Sequence, residues 1–219
     1  DGYCSAGNTG AIYVGALKTV KPLSGVIRPC LASPYPNMSG GNNIILDVGI
    51  NADIKPDVLY QYGLLGSIYA KLINDLDNPR VGLLNIGKEE SKGNLVTKHA
   101  FELMQDATEF NFVGNIEGNE LSNNDMADVI VCDGFTGNVV IKQAESFYNI
   151  IRERGIEDNY FRRFNFETYG GLPLLGIDAN VVIGHGISTP AAIKNMILLT
   201  RDITKAQLAE KIKTSFNHE

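Results

Sequence analysis

The chain has 219 residues, with 19 Lys+Arg against 25 Asp+Glu and a formal net charge of −6. Hydrophobic residues make up 44% and charged residues 20%, which excludes a disordered chain, and the net acidity excludes a whole-protein basic footprint for nucleic acid. Three cysteines, Cys4, Cys30 and Cys132, are too few and too far apart for a disulfide framework or a zinc spacing, and fit a reducing, cytosolic setting.

The chain opens at Asp1 inside what reads as the end of a strand, Tyr3-Cys4-Ser5, so the expectation is a single α/β domain over 1–219 that lacks an N-terminal segment. Short continuous apolar runs at 26–31, 44–48, 81–86, 110–113, 129–132 and 181–183 read as buried strands. Periodic apolar patterns at 9–20, 57–74, 95–106, 138–154, 189–199 and 204–216 read as helices. Pro56 and Pro190 stand where first-turn prolines belong, and Thr189 is a natural N-cap. Alternation of the two predicts a layered, mostly parallel sheet flanked by helices. The least regular stretch is 155–173, and a helical or irregular segment at about 147–172 is expected to protrude. No run of about 18 apolar residues reads as a transmembrane helix.

Glycine is in excess, at 23 residues, and no low-complexity repeat explains it. The glycines follow strands and precede helices: Ser5-Ala6-Gly7-Asn8-Thr9-Gly10, Asp47-Val48-Gly49-Ile50-Asn51, Asn85-Ile86-Gly87 through Gly93-Asn94, Gly114-Asn115-Ile116-Glu117-Gly118, Asp133-Gly134-Phe135-Thr136-Gly137-Asn138 and Gly184-His185-Gly186. Ligands of open α/β sheets bind at the carboxyl ends of strands, so these six turns are expected to share one rim. Glycine lets backbone approach a ligand, and helix N-termini favour an anion.

Two near-motifs are weaker. Gly82 to Lys88 fits the start of a P-loop, but Glu89 stands where a Ser or Thr should meet magnesium. Gly184-His185-Gly186 opens like a dinucleotide fingerprint without its third glycine. No Gly-x-Ser-x-Gly elbow is present, and Cys132 reads as packing on a strand. His99 and His218 read as solvated, whereas His185, between two glycines, is placed either to donate to an oxyanion or phosphate or to be satisfied by backbone. No His, Cys or carboxylate cluster has metal-ligand spacing, so no metal or cofactor is expected.

Taken as a set, these turns, with Arg28-Pro29, Lys55-Pro56, Arg80-Val81-Gly82-Leu83-Leu84-Asn85-Ile86-Gly87, Tyr169-Gly170-Gly171-Leu172-Pro173-Leu174-Leu175-Gly176 and His185-Gly186, resemble the bacterial phosphate acyltransferase family of phospholipid synthesis. The resemblance runs in family order along almost the whole chain; Lys88 and Ile187 depart from it. It implies a fold similar to that of phosphate acetyltransferases and isocitrate/isopropylmalate dehydrogenases. It also implies transfer of a fatty acyl group from acyl carrier protein to inorganic phosphate, giving acyl phosphate. Other implied partners are a second copy of the chain, the inner face of a membrane and a downstream membrane acyltransferase.

Direct attack of phosphate on a thioester needs no protein nucleophile, only a held anion and a stabilised oxyanion. The expected catalytic pair is Lys92 and His185, flanking the reacting carbonyl. The expected substrate-binding residues are Asn8, Gly10, Asp47, Asn51, Asn85, Gly87, Asn94, Asn115, Glu117, Asp133, Gly134 and Asn138. The acidic members are read as caps or orienting partners. Phe161, Phe164 and Phe166, beside Arg162 and Arg163, are the expected membrane or dimer contact. Two alternatives stay open: a phosphate acetyl- or butyryltransferase using coenzyme A, and a binding fragment without turnover.

Overall fold

The computed structural model describes residues 1–216, so His218 lies outside the described residues. In chain order the elements are β1 (Gly2–Ser5), α1 (Thr9–Thr19), β2 (Cys30–Pro36), β3 (Asn42–Leu46), α2 (Pro56–Ile73), β4 (Arg80–Asn85), α3 (Leu95–Gln105), β5 (Asn111–Glu117), β6 (Val129–Val131), α4 (Gly134–Glu153), α5 (Asn159–Arg162), α6 (Phe166–Tyr169), β7 (Gly171–Leu175), β8 (Asn180–Gly184), α7 (Pro190–Lys205) and α8 (Leu208–Phe216). The strands form one mixed sheet in the order β1-β8-β7-β2-β3-β6-β4-β5. Helices cover both faces, because successive strand residues point to opposite sides. Ile44, Leu46, Val129, Val131 and Val182 join one core with α2, α3, α7 and α8. Ile45, Ile130, Val181 and Ile183 join the other, with Ala16 of α1 and the half-buried Val140 and Ile141 of α4.

The sheet is two parallel blocks that run in opposite directions. β3, β6, β4 and β5 are mutually parallel, and β1 is parallel to β8. Between the blocks, β8–β7, β7–β2 and β2–β3 are all antiparallel, and three reversals set β8 against β3. The carboxyl ends of the two blocks therefore point in opposite senses. Four of the six glycine turns follow the β3–β5 block, and two follow β1 and β8 at the opposite-running end.

Two strands depart from the sequence reading for one reason. β2 begins at Cys30 and continues through Pro34 and Pro36, beyond the apolar run at 26–31. Cys30 and Leu31 pair only with β7, and Ala32 to Pro36 pair only with β3. Each proline thus has a free edge, which relieves the missing N–H. β7 carries Pro173, paired only with Val182 on β8, inside the stretch read as irregular. At the N-terminus of α4, Asp133 caps Thr136 N at 2.7 Å, which starts that helix four residues before the expected position. Gln207, at φ 56°, separates α7 from α8.

Candidate functional site

A cleft of about 400 Å³ opens where the two blocks meet, lined by Gly7, Asn8 and Thr9 after β1, Val48 and Gly49 after β3, one face of α4, and Gly184 to Gly186 after β8. Asn138, Ile141, Lys142 and Glu145 project from α4 at helical spacing, so a single stripe of that helix forms one wall. Phe166, Tyr169 and Gly170 close the side opposite.

The polar centre of the cleft is Lys142. Its Nζ lies 2.7 Å from Glu145 Oε2 and 3.4 Å from His185 Nε2. The other ring nitrogen, Nδ1, faces Ile187 N at 3.4 Å, and the Phe166 ring packs over the imidazole with centroids 5.0 Å apart. Burial, reinforced by Glu145, pushes the Tyr169 phenol well up, so it stays protonated and can donate to that carboxylate. Asn8 caps α1, its Oδ1 accepting from Ala11 N at 3.0 Å, which leaves the N–H groups of Thr9 and Gly10 at the helix mouth without an intrahelical partner. A cation, an imidazole and a helix N-terminus on one cleft suit an anion and a developing oxyanion. Lys142 and Glu145 escaped the sequence reading because they sit within α4, away from the glycine turns, and Tyr169, at the end of α6, was quoted only as part of a turn motif. The i, i+3 and i+4 spacing of Asn138, Ile141, Lys142 and Glu145 was the available signal.

The expected site residues divide into three groups. Asn8, Asn138 and His185 line the cleft, and Gly10 lies in the first turn of α1. A second cavity, of about 710 Å³, lies at the carboxyl ends of β4 and β6, and Asn85, Asn94 and Asp133 line it. Lys92 precedes Gly93 and Asn94 on that wall, so it does not share the cleft of His185. Asn94 and Asp133 are helix caps there, bonding Thr97 N at 2.9 Å and Thr136 N at 2.7 Å.

The third group is turned into the protein. Asp47 is fully buried. It accepts from Leu31 N at 3.0 Å and Asn51 N at 2.6 Å, and desolvation raises its carboxyl above the ordinary range. Asn51 donates to the Pro29 carbonyl at 2.8 Å and the Tyr62 hydroxyl at 2.9 Å. Asn115 accepts from Asn85 at 3.0 Å and donates to the Glu89 carbonyl at 3.0 Å, bracing the 85–94 loop. Gly134 is buried, and a Cβ there would lie 2.7 Å from Asp47 Oδ2. Gly87 is buried, with Lys92 Cγ where its Cβ would point, at 3.0 Å. Glu117 caps a single 3₁₀ turn, its backbone N–H donating to Glu120 at 3.2 Å. These residues shape the turns: Asp47, Asn51 and Asn115, expected at the ligand, are buried and spend their polar atoms on the protein itself.

Within the 147–172 segment expected to protrude, residues 152–159 are exposed and residues 160–170 are tied to the body of the protein. Tyr160 donates to Pro36 O or Ser122 Oγ, at 3.2 and 2.7 Å, and Arg163 donates to Asn37 O at 3.0 Å and to Gly41 O. Phe164 packs edge-on against Tyr35 and Tyr160, at 5.4 and 5.5 Å between ring centroids. Phe161, Phe164 and Phe166, the expected membrane or dimer contact, are all half-buried. No helix among the described residues is long and apolar enough to cross a membrane.

Comparison with known proteins bears on this geometry. The chain matches a family described as "Fatty acid synthesis protein" over residues 1–211. It is 38% identical to a "Phosphate acyltransferase" of Halothermothrix orenii, across 99% of this chain and 70% of the relative. It is 40% identical to one of Listeria welshimeri, across 97% of this chain and 68% of the relative. In structure it is similar to a phosphotransacetylase from Streptococcus pyogenes, with TM-score 0.63 and 20% identity, covering 96% of this chain and 63% of that one. It is also similar to a branched-chain phosphotransacylase from Enterococcus faecalis V583, with TM-score 0.63 and 15% identity, covering 91% of this chain and 70% of that one. The chain thus spans about two thirds of the length of the proteins it matches, and the two structural likenesses speak to the fold. With 211 of its residues matched, the chain belongs to the fatty acid synthesis protein family, and by the names of its curated relatives this is a family of acyltransferases.

Proposed function

We propose that the chain transfers an acyl group from a carrier-protein thioester to inorganic phosphate, with acyl phosphate and free thiol as products. The observation that carries this reading is the Lys142–His185 pair, 3.4 Å apart, facing the N-terminus of α1 across a cleft of about 400 Å³. Phosphate oxygens fit the free N–H groups of α1, and Lys142 offsets part of their charge. A phosphate oxygen attacks the thioester carbon, and the carbonyl oxygen gathers charge as the tetrahedral centre forms. The C–S bond then breaks and sulfur leaves with the electron pair. A thiol of pKa about 8.5 leaves with little acid help, and His185 is placed to supply a proton to the oxyanion or the sulfur. No side-chain nucleophile is required, which agrees with the burial of Cys30 and Cys132.

The names of the relatives support phosphate as acceptor, and the family description supports a fatty acyl donor. The test is to mix the chain and phosphate with either an acyl-carrier-protein or an acyl-coenzyme A thioester, and to trap acyl phosphate with hydroxylamine. Hydroxamate from the carrier-protein donor is the expected result. Hydroxamate from coenzyme A alone reassigns the donor, and none from either removes turnover from this chain.

A further inference from the structure

The run Tyr169-Gly170-Gly171 stands out in the sequence, yet the chemistry just described uses none of it. Its two glycines have a geometric cause. Gly170 has φ 73°, and a Cβ there would lie 2.3 Å from Met196 N and 2.4 Å from Ala192 O, so the backbone is pressed against α7. A Cβ at Gly171 would lie 2.7 Å from Val182 Cγ1 on β8. Gly170 N also donates to Phe166 O at 2.9 Å, which closes α6. These contacts fix where Tyr169 stands, and it lines the cleft with Lys142 and Glu145.

That placement answers a difficulty at Lys142. Its side chain is flexible and half-exposed, and its Nζ is held by Glu145, 2.7 Å away and three residues on along α4. A pair of this kind holds weakly, and the carboxylate also offsets charge that an anion in the cleft would use. A second donor on the carboxylate changes both. Burial and the carboxylate itself keep the Tyr169 phenol protonated, so it can donate to Glu145. A carboxylate that accepts from two groups is fixed in orientation and divides its charge between them, and Lys142 retains N–H groups for a ligand.

We propose that Tyr169 and Glu145 are positioning residues for Lys142: the phenol orients the Glu145 carboxylate, and the carboxylate holds Lys142 in the cleft without taking its whole charge from the anion. This rests on the reading of the cleft as the phosphate site. It follows that Tyr169 acts on phosphate only through Glu145, and that Glu145 serves turnover by holding Lys142 while it opposes phosphate by its charge.

The test is a double-mutant cycle on the binding of inorganic phosphate, measured by calorimetric titration, with hydroxylamine trapping as a separate readout. Tyr169→Phe keeps the ring and removes the hydroxyl, and is expected to weaken phosphate about threefold, because Glu145 then turns wholly to Lys142. Glu145→Gln is expected to tighten phosphate about threefold while kcat falls about tenfold, a split that loss of folding does not produce. In the Glu145→Gln background, Tyr169→Phe is expected to leave phosphate binding within about 1.5-fold. Equal weakening by Tyr169→Phe in both backgrounds, or none in the parent chain, overturns the assignment, as does a parent chain that does not bind phosphate. The expected binding pattern with no hydroxamate from any thioester keeps the assignment and removes the transfer reading. If Tyr169→Phe fails to fold, Glu145→Gln decides alone: tighter phosphate supports the assignment, and unchanged or weaker phosphate overturns it.

Discussion

The turn after β3 and the turns after β1 and β8 look alike in sequence, each pairing glycine with an Asn, Asp or His. Folded, they do opposite things. After β3, Asp47 and Asn51 spend their polar atoms on Leu31, Pro29 and Tyr62, and both are buried. After β1 and β8, Asn8 and His185 border open space, opposite Lys142. What separates them is the strand on the next position. Asp47 extends β3 beside the start of β2, whose backbone supplies a donor at Leu31 N, whereas β8 ends beside the beginning of β7 and its turn stays free for the cleft. A ligand-binding residue type at a strand end therefore reports a site only when neighbouring backbone leaves it unclaimed.

This contrast can be broken from either side. The largest expected effect is on folding. Asp47→Ala leaves the buried N–H groups of Leu31 and Asn51 without an acceptor, at a cost on the order of 4 kcal/mol. The melting temperature should fall by about 10 °C, and a fall under about 2 °C would show that the network is not structural. Next comes turnover. Lys142→Met and His185→Ala should each lower kcat/KM by about a hundredfold, with melting temperatures close to that of the parent chain. Loss of folding in both would place them with Asp47 instead.

A smaller effect is expected at Lys92, which the sequence reading pairs with His185. It precedes Gly93 and Asn94, which line the second cavity, and it does not line the cleft, so Lys92→Ala should change turnover by no more than about twofold. A hundredfold loss would restore it to the reacting centre. The smallest effect concerns Glu167, which receives the Thr189 hydroxyl at 2.6 Å and holds the 166–169 turn against the N-terminus of α7. That bond, with a second from Asn165, lowers its carboxyl below the ordinary 4.5. A lowered value means stability that is present above pH 4.5 and lost as pH falls through the lowered value. Glu167→Gln should flatten the pH dependence of the denaturation midpoint between about pH 5 and 3. An unchanged slope would count against the Thr189 contact.

Much of the fold was readable from local pattern. Apolar runs marked β3, β4, β6 and β8, and capping residues such as Asn94 and Thr189 marked helix starts, because burial and backbone satisfaction act over a few residues. The family resemblance was likewise readable, since the turn motifs keep their order along the chain. The proline-bearing strands β2 and β7 were not readable, because a proline is tolerated only where the partner strand is missing on one side, and that is a property of the assembled sheet. The reversal between the two strand blocks was hidden for the same reason, as was the way two cavities draw on the six similar turns.

The residues around the reacting centre were half legible. Asn8 and His185 stand in glycine turns and announce themselves, whereas Lys142 sits in a helix as one charged residue among others. Side-chain type and spacing state which groups are available to hold an anion. Whether a given Asp, Asn or Lys is free to do so depends on which backbone donors and acceptors the sheet brings within about 3 Å, and only the packed chain supplies those.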